Sequence, residues 1–324
     1  MTVRSLFIDR ALAGQRTDQA LALLVPALGL RGRRRLISDG RALLNGQPVR
    51  AAQRLCEGDL LELKSEQIPS LLQATDQPRF VALQGNYCFL YKPAGMHSAA
   101  LPGRQTVSLE AALPHIADQA VPEPAALRLL QRLDYRTSGL VCAALNEGAV
   151  REFRLAERAG KCEKRYAALL YGLLEYPQTV QAGLDTARRR KSRILPADAD
   201  SVRWTEFFPL VHWEGRRAAE LLEKLTGSLQ AEKAVQPAAL TLAACRIRCG
   251  ARHQIRAHAA SLGLPLWGDP LYGTSEKKCE HTDKFFLHHG CMRMFGASHA
   301  LLPAWPLPVP AMEALRKWFE KRDE

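Results

Sequence analysis

The sequence predicts an α+β protein of two domains, a small basic one at residues 1–64 and a larger one at 85–324. Three observations predict it. A chain of 324 residues with 47% hydrophobic content can bury one large core and one small one. Helix-like and strand-like segments are interleaved in both parts. Between them, SEQIPSLLQATDQPRF loses periodicity and gains polar residues and proline, which marks a linker at 65–84.

The elements follow in chain order. QRTDQALALLVPALG has apolar residues at helical spacing after Thr17 and Asp18, either of which can cap a helix. RGRRRLISDGRALLNGQPVR reads as a basic helix, a Gly-containing stop, a short strand ALL and an Asn45-Gly46 hairpin turn. EGDLLEL is a turn leading into an alternating strand. Residues 1–64 carry eleven Lys/Arg against six Asp/Glu, a basic excess. From Tyr87, NYCFLYKPAGMH reads as a strand running into a Pro-Gly loop. EGAVREFRLAERAGKCEKRYAALLYG predicts a charged helix and then a strand. AAELLEKL, inside an insertion at 214–236, is helical. TLAACRIRCGARHQIRAHAASLGLPLWGDPLYG gives strand, turn, helix and a tight GDP turn. PLPVPAMEALRKWFEKR ends on an amphipathic helix.

Charge narrows the partner. Lys+Arg 45 against Asp+Glu 33 gives +12, with arginine dominating the clusters. Guanidinium forks match phosphate geometry, so a nucleic acid is the expected partner. No apolar run reaches the roughly 18–20 residues of a membrane span. The N-terminus MTVRSLFIDRALAG lacks the apolar stretch of a signal peptide. Eight cysteines without a disulfide framework fit a cytoplasmic protein. The absence of a Walker loop, a GxSxG and a GxGxxG leading into a helix leaves nucleotide-cofactor and serine-hydrolase chemistry without support.

Four segments concentrate reactive groups. QRLDYRTSGL, residues 131–140, sets Asp134 between Arg132 and Arg136. Nearby positive charge favours the carboxylate, which then suits a nucleophile or electrostatic stabiliser better than a general acid. KRYAALLYG carries Tyr166, and ARHQIRAH carries a cluster from Arg252 to His258. DTARRRKSRI is the densest basic run, in which Arg189, Arg190 and Lys191 are expected to track a nucleic-acid backbone. With such a partner, the natural chemistry is covalent attack on a base or a glycosidic bond. Cys279, His281, His288, His289 and Cys291 lack a paired CxxC knuckle, so no metal site is expected. Cys245 and Cys249, four apart, are expected on one face of a strand as buried small hydrophobes.

Two resemblances sharpen this. TDQAL, RGRRRLISDGRALLNGQPV and EGDLLEL, in that order, resemble the S4 RNA-binding module. The resemblance implies that Arg31, Arg33, Arg34 and Arg35 face RNA phosphates. YKPAGM, RLDYRTSGLVCAALN, EKRYAALLYG, RHQIRAHAASLGLPLWGDPLYG and LHHG resemble the RluA-type pseudouridine synthases over most of residues 85–310. That family implies a mixed, mostly antiparallel sheet, a basic cleft, and isomerisation of uridine to pseudouridine in structured RNA. Ribosomal RNA is favoured by the S4-like module and tRNA is possible. The family also implies a monomer needing no cofactor. Asp134 matches the nucleophile, and Arg132 matches the residue that enters the RNA stack in place of the flipped uridine. Tyr166 matches the tyrosine that packs on the base, and Arg256 the residue that holds the nucleophile; Arg252 is assigned to RNA. Three departures stand out: Gln131 where histidine is common, CGARHQ with Ala251 at the usual arginine, and MHSAALPG after KPAG. The first two motivate the alternative, a non-catalytic S4-type RNA-binding protein on a degenerate synthase scaffold.

Overall fold

The computed structural model describes residues 2–25, 30–38, 40–65, 77–100, 107–117, 120–121, 126–187, 191–198, 200–226, 238–273, 285–295 and 297–321. The chain divides into two compact units, 1–77 and 78–324.

In the first unit, β1 (Thr2–Phe7) is followed by α1 (Thr17–Leu24), α2 (Leu30–Ser38), β2 (Ala42–Leu44), β3 (Gln47–Pro48) and β4 (Leu60–Ser65). The strands form an antiparallel sheet in the order β1-β4-β2-β3. Asn45 and Gly46 take φ of 51° and 79°, the paired left-handed conformation that a two-residue hairpin needs. Leu21, Leu24, Leu36, Ile37, Leu44, Leu61 and Leu63 meet in one small core.

Neither Thr17 nor Asp18 caps α1. The N-cap is Arg16, with no side-chain cap hydrogen bond. Thr17 donates its hydroxyl to Gln53 O at 3.1 Å instead. The Asp18 carboxylate is buried and accepts from Arg16 Nε and Nη2, both at 3.0 Å, and from Arg34 Nε at 2.7 Å. Burial pushes Asp18 up, but the bonds from Arg16 and then Arg34 outweigh it and hold the group below its usual value. A carboxylate recruited by two arginines is unavailable to the helix end.

The second unit contains β5 (Arg79–Gln84), β6 (Tyr87–Lys92), α3 (Leu109–Ile116), β7 (Arg128–Leu129), β8 (Ser138–Ala144), α4 (Glu147–Arg158) and β9 (Glu163–Tyr171). It continues with β10 (Gln178–Val180), β11 (Ala182–Asp185), β12 (Arg193–Ala197), β13 (Thr205–Glu214), α5 (Gly215–Thr226) and β14 (Ala239–Ile247). It ends with α6 (Gln254–Ser261), β15 (Leu287–Met294), β16 (Ala297–Ala300) and α7 (Val309–Glu320). Residues 79–84, read from sequence as the end of the linker, form edge strand β5 and pair with β6. Their alternation is too weak to announce a strand without its neighbour.

The main sheet runs β10-β13-β14-β9-β15-β8-β6-β5, with β16 on β15 and β7 on β8. Its pairs are antiparallel except β15 with β8, so the sheet is mixed and mostly antiparallel. Strands β9 and β14 send alternate residues to opposite cores. Tyr166, Ala168, Ala243 and Cys245 face one, with Ile255 and Ala259 of α6. Ala167, Leu169, Leu240 and Leu242 face the other, under α5 and α7. Cys249 falls beyond β14 and is only partly buried, so it does not share a strand face with Cys245. β11 and β12 form a separate two-stranded ribbon.

Two glycines permit this packing. Gly139, the glycine of TSGL, has φ 122°, and a Cβ there would meet His289 O at 2.3 Å. A Cβ on Gly290 would lie 2.1 Å from the Phe319 ring of α7. Both allow β15 to be approached closely, by β8 from its side and by α7 from above.

Buried imidazoles make the fold acid-sensitive. Burial pulls His258 and His288 down to about 4 and His289 to about 3, each against the opposing pull of a backbone carbonyl. The folded values lie below the unfolded one near 6.5, so the unfolded chain takes up protons first as pH falls. Stability is full above about pH 6.5 and is lost on the way down to about pH 4. Between pH 7 and pH 5 the loss is expected to reach about 2 kcal/mol per ring. Urea unfolding at the two pH values measures it; coincident midpoints would contradict the expectation.

Candidate active site

Asp134 sits in the loop between β7 and β8, where Thr137 N donates to Asp134 O at 3.0 Å and closes a turn. The loop is clamped from the Lys92–Ser98 segment. Leu133 N donates to Ser98 Oγ at 2.9 Å, the Ser98 hydroxyl lies 3.0 Å from Leu133 O, and Gly95 N donates to Tyr135 O at 2.7 Å. The clamp is itself fixed by buried Lys92, whose ammonium donates to Pro93 O and Met96 O at 2.8 Å. The Asp134 side chain retains 23% exposure, so a held carboxylate still faces the solvent side.

Arg256 reaches Asp134 from the first turn of α6. Its Nη1 donates to Asp134 Oδ2 at 2.7 Å. Its other edge makes a fork with Asp269, Nε to Oδ2 at 2.7 Å and Nη2 to Oδ1 at 2.8 Å. Asp269 is fully buried and also accepts from Leu271 N at 2.9 Å, which fixes the GDPLY turn. Burial alone would lower the Arg256 pKa, but bonds and charge from Asp269, then Asp134, raise it above its ordinary value. Asp269 therefore neutralises and aims the arginine, and Nη1 is left to hold the outer carboxylate.

α6 is unusual in burying polar side chains alongside its apolar ones. Gln254 accepts from Ala251 N at 2.9 Å and donates to Arg203 O at 2.9 Å and Thr205 Oγ1 at 3.0 Å. His258 lies 2.7 Å from Thr205 Oγ1 and 3.1 Å from Ala182 O. Each buried polar group has partners, as a rigid polar network requires. His253, just before the helix, takes left-handed φ 57° and ψ 18° and puts Nε2 3.7 Å from Asp134 Oδ1.

Tyr166 lines the same site from β9. Burial raises its phenol well above the ordinary value, and the charge of Asp134 adds to the shift, so the hydroxyl stays protonated. Behind it lies His289, directly opposite in the antiparallel β9–β15 register, with rings stacked at 4.5 Å and 19°. His289 Nδ1 lies 2.6 Å from Leu140 O, which assigns the proton of a neutral ring to Nδ1. Gln131 Nε2 donates to the same carbonyl at 3.3 Å. Gln131 thus packs behind Tyr166, and its Oε1 and His289 Nε2 are buried without a hydrogen-bond partner among the described residues.

The other sequence-assigned residues are scattered. Arg132 is exposed beside Asp134. Lys191 is exposed, with its ammonium 4.9 Å from the Tyr272 ring centroid. Arg252 donates Nη2 to Thr186 O at 2.6 Å. In the first unit, Arg33 Nη1 reaches Gln19 O at 3.3 Å and half-exposed Arg34 is engaged by Asp18. Arg189, Arg190 and the side chains of Arg31 and Arg35 lie outside the described residues. Among the described residues no group of three or more His, Cys, Asp or Glu is placed to hold a metal. Cys279 and His281 lie outside them. Sequence reasoning missed Asp269, Tyr272, His253 and His289. The GDPLYG turn was the only signal for the first two, and it does not say which way the side chains point.

Residues 86–261 match the model of the RNA pseudouridylate synthase family, a span that includes Asp134, Tyr166 and Arg256. The chain belongs to this family. An RNA pseudouridine synthase of Chloroflexus aurantiacus is 28% identical over 316 residues, covering 94% of this chain and 90% of the relative. A ribosomal large subunit pseudouridine synthase D of Pseudomonas aeruginosa is 27% identical over 280 residues, covering 84% of this chain and 78% of the relative. Human RNA pseudouridylate synthase domain containing 1 shares the fold, with TM-score 0.52 and 19% identity over 75% of this chain and 89% of that one. The synthase fold accounts for the mixed sheet, and no helix among the described residues is long and apolar enough to cross a membrane.

Proposed function

We propose that this pseudouridine synthase acts on specific uridines of ribosomal RNA, with Asp134 as its nucleophile. One observation carries the assignment. Asp134, on a partly exposed loop, is held through Arg256 by a buried carboxylate, Asp269, and is close enough to raise the Tyr166 phenol. That is a preorganised carboxylate beside a neutral hydroxyl on an apolar wall, which suits covalent attack followed by proton transfer. The N1–C1′ bond breaks, the uracil turns while bound, C5 joins C1′, and C5 gives up its proton to solvent as the freed N1 takes one up. Tyr166 packs on the base, its hydroxyl accepting the C5 proton as it passes on its own. Exposed Arg132 fills the space left in the RNA stack when the uridine flips out.

Residues 1–64 serve as an S4-like RNA-binding domain, with Arg31, Arg33, Arg34 and Arg35 on the phosphate side, and Arg189, Arg190, Lys191 and Arg252 contact the RNA backbone near the site. The basic sequence and the ribosomal substrate in the Pseudomonas aeruginosa relative's name support ribosomal RNA over tRNA. The protein works as a cytoplasmic monomer without a cofactor, a setting consistent with the free thiols of its described cysteines. The retained trio of Asp134, Tyr166 and Arg256 argues against the binding-only alternative. RNA carrying tritium at uridine C5 provides the test. Release is expected from ribosomal RNA, and mapping would name the uridine. No release from any RNA class despite tight binding would overturn the proposal.

A further inference from the structure

The residue just before β12 is hydrogen-bonded into the site. Buried Ser192 donates its backbone N–H to the Tyr272 hydroxyl at 2.8 Å and its own hydroxyl to Arg252 O at 2.7 Å. Arg252 in turn holds Thr186, just after β11, and Lys191 lies over the Tyr272 ring. The chain continues inward. Tyr272 Oη is 3.2 Å from His253 Nδ1, and His253 Nε2 faces Asp134 Oδ1 at 3.7 Å. Arg256 bonds Oδ2, so His253 addresses the other oxygen of the same carboxylate.

The Tyr272 hydroxyl accepts from Ser192 N, and its own proton has two acceptors, His253 Nδ1 at 3.2 Å and Ser192 O at 3.3 Å. The Asp134 carboxylate beside Nε2 favours the first, because an N–H there faces negative charge. Tyr272 then donates to Nδ1, and the imidazole proton sits on Nε2, aimed at Asp134. At 3.7 Å the contact is too long for a hydrogen bond, and such catalytic contacts tighten when substrate is bound. The left-handed backbone of His253 is a rare conformation for a residue with a side chain, of the kind retained at functional sites.

We propose that Ser192, Tyr272 and His253 form a positioning relay, in which seating of RNA against exposed Lys191 and Arg193, on either side of Ser192, brings the His253 N–H onto Asp134 Oδ1 and sets the carboxylate for attack. The relay rests on the reading of Asp134 as nucleophile. His253 is faced by Asp134 from the β7–β8 loop, by Arg252 and Arg256 from its own segment, and by Asp269 and Tyr272 from the GDPLY turn. Burial, the largest influence, lowers its pKa, so the ring is neutral at neutral pH and the tautomer matters.

Two measurements on the full chain test the relay. The first is independent of activity: nitrogen chemical shifts of His253 should report the Nε2–H tautomer in the wild type and a mixture in Tyr272→Phe. An Nδ1–H tautomer in the wild type overturns the relay, whatever the enzyme does to RNA. The second is kinetic, on ribosomal RNA tritiated at C5. Tyr272→Phe and His253→Ala should each lower kcat about tenfold, less than the roughly 10²–10⁴-fold of a group that transfers the proton itself because the relay only positions the carboxylate, with KM within about twofold. The acid limb of the kcat profile should shift in Tyr272→Phe, and His253→Gln, which keeps an N–H donor, should recover part of the loss. Unchanged kcat and superimposable pH profiles in both variants overturn the relay, as does a purely KM effect. If wild-type protein releases no tritium, the proposed function fails, and the tautomer measurement still decides the relay.

Discussion

Replacement of Asp134 by asparagine is expected to abolish tritium release while leaving the protein folded and able to bind RNA. The substitution keeps the shape of the side chain and removes the charge that the proposed nucleophile requires. Loss of a nucleophile of this kind costs on the order of 10⁴-fold or more in kcat. Stability should change little, because Arg256 keeps its two bonds to Asp269 and the Asp134 side chain is already 23% exposed. RNA affinity should stay within a few-fold, since exposed Arg132 and the basic surfaces are untouched. Tritium release, thermal melting and RNA titration on one preparation check all three. A variant that keeps more than a hundredth of the wild-type rate would remove Asp134 from the nucleophile's role.

Asp269→Asn is expected to damage both fold and rate. Asp269 is fully buried, and its carboxylate is the principal counter-charge to a guanidinium that is only 5% exposed. Removing one partner of a buried ion pair costs about 3–5 kcal/mol, because the remaining charge is left uncompensated. Arg256 should then turn wholly toward Asp134, which withdraws the carboxylate from attack and lowers kcat. The reciprocal double variant Asp269→Leu with Arg256→Met removes both charges. It should regain most of the stability and none of the activity. Melting temperatures and tritium release across the set separate the two effects. A wild-type melting temperature in Asp269→Asn would show that the buried pair does not carry the predicted load.

Part of the site can be read along the chain. Asp134 stands out because RLDYRTSGL places an acid among arginines before an apolar strand, and Arg256 and Tyr166 sit in segments with their own patterns. Which cation serves the acid cannot be read this way. Arg132 and Arg136 are two residues away in sequence, yet Arg256, 122 residues on, donates to Asp134 at 2.7 Å. Gln131 is similar. As a letter it marks a departure from the pattern the family resemblance implies, but its placement beside His289 depends on β8, β9 and β15 becoming neighbours. The capping of α1 went the other way: Thr17 and Asp18 have the composition of caps, and a buried contact with Arg34 claimed the aspartate.

The sequence by itself determined the local elements, since periodicity, the Asn45-Gly46 turn and the apolar strands act over a few residues. It also determined the basic character and the candidates for the reacting groups. Only the tertiary structure decided how those groups are paired and charged. The fork from Asp269, the stacked His289 and the His253 contact join distant segments whose approach depends on β15 lying close against Gly139. Burial then sets which of them carries charge, because desolvation acts on a side chain only after the chain has closed around it.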